Sequence, residues 1–135
     1  MLFESGDTAG YTRRQGMLPP ARAQRWCYHS GATNLVSDML RTSFAAAEDY
    51  LRYPWDAIFN PLGMDSAQFH LDSKGVFVGS SFAFASARDW ARLGQLRLQN
   101  GSWGNTTLIA KSFFAEFAER LPASGQAYRS VGEWC

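Results

Sequence analysis

Short helical patterns, each closed by glycine or proline, are the feature that most restricts the fold of this chain of 135 residues. The clearest pattern begins at Ser86, a favoured N-cap, and Asp89 follows three residues later in a variant of the capping box. Asn100 and Gly101 form a typical helix terminator. The apolar residues between these two ends recur at helical spacing, at Trp90, Leu93 and Leu96. This stretch predicts a helix with both ends marked.

Similar patterns predict further helices. One should begin close to Ser30, whose hydroxyl can accept a hydrogen bond from an unpaired amide of the first turn. Pro54 cannot donate to the preceding turn, so it should divide the helix-like stretch 44–59 into two short helices. A short helix is predicted at 8–14 and a last one at 110–121. The positions of this last helix that we expect in the core are Phe113, Phe114, Phe117 and Ala118.

Strand signals are few. Residues 69–71 and 76–78 are apolar, and Asp72 to Gly75 between them has the composition of a hairpin turn. Residues 60–64 predict another tight turn. Four or five helices with little strand would make the chain alone a small all-α domain. The aromatic share of 15% and the long loops are unusual for a simple helical bundle, which favours a piece of a larger fold.

Composition excludes several classes of protein. The hydrophobic share of 46% is enough for a packed core. Thirteen basic residues against twelve acidic ones give a net charge of +1, so we expect neither nucleic acid nor an anionic membrane surface as a partner. A local basic cluster is interpreted as a solvated loop and consists of Arg13, Arg14, Arg22 and Arg25.

The sequence contains few signals of the cellular compartment of the protein or of whether the chain is part of a longer one. The two cysteines, Cys27 and Cys135, are too far apart to suggest a disulfide scaffold. The N-terminus lacks the features of a signal peptide and no apolar run reaches membrane-spanning length, so the chain as written would be cytoplasmic, although a parent protein could be exported. The end at 133–135 follows a glycine without a helix cap or polar tail, which suggests a missing remainder.

The segment Tyr28-His29-Ser30-Gly31, continued by Asn34-Leu35, carries the most functional content. It resembles the Tyr-x-Ser element of the β-lactamase-related serine hydrolases, which include class C β-lactamases, D-amino-acid peptidases, some carboxylesterases and 6-aminohexanoate oligomer hydrolases. His29 departs from the family pattern. Further blocks follow in the family's order, at 59–64, 78–82, 86–94 and 99–103, and an ordered set of blocks is more specific than one motif.

The resemblance implies an α+β fold of the β-lactamase/transpeptidase type, in which an antiparallel sheet flanked by helices packs against a helical region. This chain would be a partial domain that covers mostly the helical region with a short hairpin and lacks most of the sheet. Its parts would be a loop-rich lead-in at 1–29, the helical region at 30–121 and a truncated end at 122–135.

The same resemblance implies roles for two residues. In the family a lysine one helical turn after the nucleophilic serine, together with a tyrosine, takes the serine's proton, and Tyr28 would be that tyrosine. Ser30 would bind the substrate or orient the lysine. Structural roles stay open for both, as a buried aromatic and as a plain helix cap. No cofactor is expected and no metal, because zinc-type spacing is absent among Cys27, His29, His70 and Asp72.

Two family elements are missing from the sequence. No serine is followed three residues later by lysine, and no Lys- or His-led triplet ending in glycine follows the last predicted helix. The triplet-like His29-Ser30-Gly31 occupies the Tyr-x-Ser position instead. We therefore expect a fragment of a serine hydrolase that acts on ester, amide or β-lactam bonds, inactive alone. Small ester or amide substrates would be the partners of the complete protein.

Two alternatives stay open. A non-catalytic helical binding module derived from the family would use exposed apolar surface to hold a partner. A small esterase with another nucleophile could use Ser80, Ser81 or Cys27, the last with His29 or His70 as base. Because helices of this length depend on tertiary packing, we also expect marginal stability or self-association through exposed apolar surface.

Overall fold

A computed structural model describes residues 5–16 and 29–118, the last four by their backbone alone. The described residues divide into two compact units, one of residues 5–16 and 29–90 and one of residues 91–118. The elements are α1 (Thr8–Arg14), α2 (Ser30–Thr42), α3 (Ala47–Pro54), a π-helical turn (Trp55–Phe59), α4 (Asn60–Leu62), β1 (Gln68–Phe69), β2 (Ala83–Phe84), α5 (Ala87–Leu98), β3 (Ser102–Trp103), β4 (Thr106–Thr107) and α6 (Lys111–Ala118). Helices with two short antiparallel pairs make this an α+β protein.

Helix α1 confirms the short helix predicted at 8–14 and packs against α2. Asp7 caps α1 by accepting a hydrogen bond of 2.7 Å from the Gly10 amide. Helix α2 approaches α1 closely at Gly31, where a Cβ atom would lie 2.7 Å from the Cγ2 atom of Thr12. The small residue at the second position of α2 therefore lets the two helices touch at the end where α2 begins.

Pro54 does not divide the chain into two separate helices, so that prediction is wrong. Residues 47–62 form one continuous helical run in which α3 passes directly into the π-helical turn and then into α4. The missing N–H of proline loosens the α-helical pattern, and the amide of Asn60 donates to the carbonyl of Trp55, five residues earlier. Gly63, at φ +66°, ends the run in the left-handed conformation. The predicted tight turn at 60–64 is thus the end of a helix.

The core of the first unit is built around Tyr50 and Phe77. Their ring centroids lie 5.0 Å apart, and Phe69 stacks on Phe77 at 4.6 Å. The Tyr50 hydroxyl accepts a hydrogen bond of 2.9 Å from the Phe77 amide. Burial raises the pKa of this phenol, although the Phe77 hydrogen bond and the Arg41 charge act in the opposite direction. Other buried apolar residues of this unit are Ala9, Leu62, Met64, Val76 and Val78.

The predicted hairpin at 69–78 is correct in its turn and mostly wrong in its strands. The Gly75 amide donates to the Asp72 carbonyl at 3.0 Å, which closes the turn. Only an isolated bridge joins Leu71 to Phe77 beyond it. The regular pairing is instead antiparallel between β1 and β2. Residue 68 pairs with residue 84 there, a separation that a local turn pattern cannot specify.

Asp72 and Ser73 hold the N-terminal segment through contacts that we call the Asp72 clasp. One carboxylate oxygen of Asp72 accepts from the amides of Lys74 and Val76, at 2.9 and 3.1 Å. The other accepts from the amide and the hydroxyl of Thr8, at 3.1 and 3.0 Å. Ser73 donates its amide to the Gly6 carbonyl at 2.8 Å. The clasp thereby joins parts of the chain that lie 64 residues apart.

Helix α5 confirms the clearest sequence prediction. The Ser86 hydroxyl caps the helix by accepting from the Asp89 amide at 3.2 Å. Asp89 does not reach back to the Ser86 amide, as a capping box would have it. Ser66 relays the contact, because its hydroxyl accepts from the Ser86 amide at 2.8 Å and donates to the Asp89 carboxylate at 2.5 Å. At the other end Asn100 and Gly101 adopt positive φ, as a terminator requires.

The second unit contains an apolar pocket of about 300 Å³ that is open to solvent. Phe113, on α6, is 41% exposed, so the prediction that this residue lies in the core is wrong. The side chains of Phe117 and Ala118, and the predicted helix beyond residue 118, lie outside the described residues. The pocket is lined by Leu93, Gly94, Leu96, Arg97, Ile109, Phe113 and Phe114.

Gly101→Ala should destabilise the second unit by about 2 kcal/mol. Gly101 has φ +86°, and a Cβ atom there would lie 2.0 Å from the backbone oxygen of Ile109, which cannot move aside as a side chain can. Urea unfolding followed by circular dichroism measures the loss. Gly104→Ala is the matched control, because Gly104 also has positive φ but faces open space. Equal losses in the two variants would contradict the importance of the Ile109 contact.

Candidate functional site

Ser30 is the predicted site residue that the structure describes. It is the first residue of α2 and is half-buried. Tyr28, the predicted catalytic residue, lies outside the described residues, as does Cys27. The geometry of the site is therefore built from Ser30, from the helix that it begins, and from the loop that packs against that helix.

His29, not Ser30, is the N-cap of α2, so the prediction of a serine cap is wrong. The Nδ1 atom of His29 accepts a hydrogen bond of 3.3 Å from the Ala32 amide. The helix begins at Ser30, one residue earlier than it would if Ser30 were the cap. Within the described part of the chain, the Ser30 hydroxyl makes no hydrogen bond. The hydroxyl is thus left available for another partner.

The loop 78–82, one of the family-like blocks, packs against the polar face of α2. A Cβ atom on Gly79 would lie 2.2 Å from the Ser37 hydroxyl and 3.4 Å from the Thr33 carbonyl oxygen, so the loop backbone approaches the helix very closely. The Ser80 amide donates to the Oδ1 atom of Asn34 at 3.2 Å. Glycine at position 79 allows this contact between loop and helix.

Asn34 was missed as a site residue by reasoning from sequence. It is completely buried, which is unusual for asparagine and implies a specific role for its amide. Asn34 lies four residues after Ser30, so both side chains occupy the same face of α2. The signal that could have identified Asn34 is its spacing of four residues from Ser30 on the polar face of an amphipathic helix.

Phe82 ends the loop in a strained conformation. Its φ is +64°, which is rare for a bulky side chain and costs roughly 1–3 kcal/mol. Its carbonyl accepts from the His70 amide at 3.2 Å, and its ring lies 6.2 Å from the His70 ring. Packing and hydrogen bonding thus hold the loop in place despite the strain.

The structure gives no base to the alternative nucleophiles that it describes. The Ser80 hydroxyl is buried without a hydrogen-bond partner. The Ser81 hydroxyl donates to the carbonyl of Ser80 at 2.7 Å. A serine nucleophile needs a base within hydrogen-bond reach, and neither hydroxyl bonds to an imidazole, amine or carboxylate of the described residues.

Helix α2 also exposes an apolar stripe, formed by Val36, Met39 and Leu40. Val36 and Met39 are each more than 60% exposed, and the three residues follow helical spacing, so they lie on one face.

None of the helices within 5–16 and 29–118 is long and apolar enough to cross a membrane. In the same part of the chain no three acidic, histidine or cysteine side chains cluster as metal ligands would.

Comparisons with protein-family models, with curated proteins and with solved structures found no match to this chain.

Proposed function

We propose that this chain is the tyrosine-bearing part of a serine hydrolase related to class C β-lactamases, with a β-lactamase/transpeptidase-like fold. The complete hydrolase would act on small ester, amide or β-lactam substrates through an acyl-enzyme. Support comes first from the ordered motif blocks, which begin at Tyr28 and continue through 59–64, 78–82 and 86–94. An ordered set of blocks arises by chance much less often than any single block does.

The structural observation that carries the proposal is the Ser30 hydroxyl, which makes no hydrogen bond to any residue that the structure describes. His29 takes over the capping of α2, so Ser30 is not needed for the helix end. A half-buried hydroxyl at the start of a helix, two residues after the candidate catalytic tyrosine in sequence, can donate to a substrate oxygen or accept from a lysine ammonium. This is the role that the family assigns to the third residue of its Tyr-x-Ser element.

Tyr28 would act on the proton of the nucleophilic serine. A phenol has an unperturbed pKa of about 10, so it serves as a base near neutral pH only where nearby cations favour the phenolate or where it relays a proton to lysine. The required Ser-x-x-Lys is not in this sequence. The chain alone would therefore lack both the nucleophile and the cation, and Tyr28 would have no proton to move.

The purified chain should not hydrolyse p-nitrophenyl acetate or a chromogenic cephalosporin above the buffer rate, and a fluorophosphonate probe should not label it. Both results follow from the missing nucleophile, since a phosphonate reacts only with an activated serine. Labelling at Ser80 or Ser81 would contradict the proposal and favour an esterase with a different nucleophile.

A longer protein supplies the positive test. Sequencing the DNA on either side of the coding region should reveal an in-frame Ser-x-x-Lys upstream, and the protein that it encodes should hydrolyse the same substrates. Tyr28→Phe should then lower kcat by about 100-fold or more. Tyr53→Phe is the control, because Tyr53 is a half-exposed tyrosine on α3. If both variants stay equally active, Tyr28 is not catalytic.

A second candidate, a non-catalytic binding module, rests on the apolar stripe of α2 formed by Val36, Met39 and Leu40. An exposed stripe of this kind can hold a partner. Its test is the triple change of these residues to Ser, Gln and Gln, which should abolish dye binding or self-association of the chain in sedimentation. A monomer that binds no dye before the change would remove this candidate.

A further inference from the structure

The contact between α2 and the loop 78–82 contains two buried polar atoms without a hydrogen-bond partner. These atoms are Nδ2 of Asn34 and Oγ of Ser80. They belong to residues that already touch, because the Ser80 amide donates to the Oδ1 atom of Asn34 at 3.2 Å. The two unmet groups therefore belong to the same contact between loop and helix.

The orientation of the Asn34 amide is fixed by this contact. A flip would place Nδ2 against the Ser80 amide, so that two donors would face each other and the bond would be lost. Nδ2 must therefore point elsewhere as a donor. The Ser80 hydroxyl can both donate and accept, so it can share an oxygen atom with Nδ2.

Leaving both groups unpaired would be costly, because each buried donor without a partner carries the full penalty of its lost hydration. A substrate group is a poor candidate for the partner, since each of the two atoms exposes less than 1 Å² to solvent. One water molecule fits the chemistry, because buried waters form a few hydrogen bonds to groups of this kind.

We propose that an enclosed water molecule bridges Nδ2 of Asn34 and Oγ of Ser80. This water accepts a hydrogen bond from the asparagine amide and exchanges one with the serine hydroxyl. It adds a second link between the loop and α2 beside the direct bond from the Ser80 amide. The loop that contains the strained Phe82 is thus tied to the helix that begins at Ser30, whether or not the chain belongs to a hydrolase.

Ser80→Ala tests the bridge through the sign of its effect on stability. If the hydroxyl were truly unpaired, its removal would relieve a desolvation cost and raise the urea midpoint of the full chain. A bridged hydroxyl leaves the water and Asn34 with one partner fewer, so we expect a midpoint lower by about 0.5 M. Ser81→Ala is the control, because that hydroxyl donates only to the carbonyl of the adjacent Ser80, and it should lower the midpoint less.

A crystal structure of the unmodified chain, at a resolution that shows ordered water, gives an independent reading. We expect density for one water within about 3 Å of both atoms. A Ser80→Ala midpoint that is unchanged or raised would overturn the proposal. So would a direct hydrogen bond between the side chains of Asn34 and Ser80 with no density between them.

Discussion

Tyr50→Ala is expected to lower the unfolding free energy of the first unit by about 4 kcal/mol, which is close to the whole stability of a weakly stable domain. Tyr50 is 1% exposed and contacts the rings of Phe44 and Phe77. Removing the ring leaves a cavity and also deprives the Phe77 amide of its acceptor. Urea unfolding followed by tryptophan fluorescence measures the loss. A variant that is already unfolded in the absence of urea would also fulfil the prediction.

Two further variants separate the ring from the hydroxyl. Tyr53→Ala removes the same side chain from the same helix, but Tyr53 is 44% exposed, so we expect a loss of about 1 kcal/mol. Tyr50→Phe keeps the ring and leaves the Phe77 amide unpaired, so its loss should be roughly 1–3 kcal/mol. Equal losses for Tyr50→Ala and Tyr53→Ala would show that Tyr50 is not the centre of the core.

The Tyr50 phenol also predicts how stability changes in alkali. Its pKa is raised in the folded protein, chiefly by burial, so folding favours the protonated form. Its contribution is complete below the unfolded pKa of about 10 and is lost as the pH rises from there through the folded pKa, because the unfolded chain releases its proton first. The urea midpoint should therefore fall more steeply above about pH 10 in the unmodified chain than in Tyr50→Phe. Parallel curves would contradict this assignment.

Asp72→Ala should cost about 3 kcal/mol, the second largest effect that we expect. The Asp72 carboxylate accepts four hydrogen bonds, from the amides of Lys74, Val76 and Thr8 and from the Thr8 hydroxyl. Hydrogen bonds to a charged group contribute more than neutral ones, and Thr8 is almost completely buried, so its amide would be left without a partner. Amide hydrogen exchange should also speed up across α1, which the clasp holds in place.

Asp65→Ala is the control for the clasp. Asp65 is an exposed aspartate, and its replacement should change the unfolding free energy by no more than about 0.5 kcal/mol. Asp72→Asn should fall between the two alanine variants, because one oxygen is kept and the other becomes a donor that faces donors. An Asp72→Ala variant as stable as Asp65→Ala would mean that the clasp does not anchor the N-terminal segment.

Structure that depends on neighbouring residues could be predicted from the sequence. The Ser86 cap and the turn at Asp72 use side chains within a few residues of the backbone groups that they serve, and the Asn100-Gly101 terminator depends on the backbone angles of those two residues. Structure whose decisive partner is distant in sequence could not be predicted. Nothing near Asp72 identifies Thr8 as its partner, and nothing near β1 identifies β2, because these contacts depend on the three-dimensional packing.

The candidate site shows the same division. Ser30 was placed correctly at the start of a helix, but its hydroxyl was assigned to capping because serine is a much commoner cap than histidine. The structure gives the cap to His29, and this one-residue shift changes what Ser30 can do. Asn34 and Ser80 lie 46 residues apart, so their contact was invisible to any local pattern. The role of Tyr28 stays a prediction from the family resemblance.

The Asp72 clasp also has a consequence for how the chain is made. Thr8 is synthesised 64 residues before the carboxylate that holds it. At roughly 5–20 residues per second, α1 spends about 3 to 13 s on the ribosome before its anchor exists. During that interval the α1 segment must rely on its own Asp7 cap, which alone cannot stabilise so short a helix. Completion of the first unit therefore follows, and cannot precede, translation of the turn that contains Asp72.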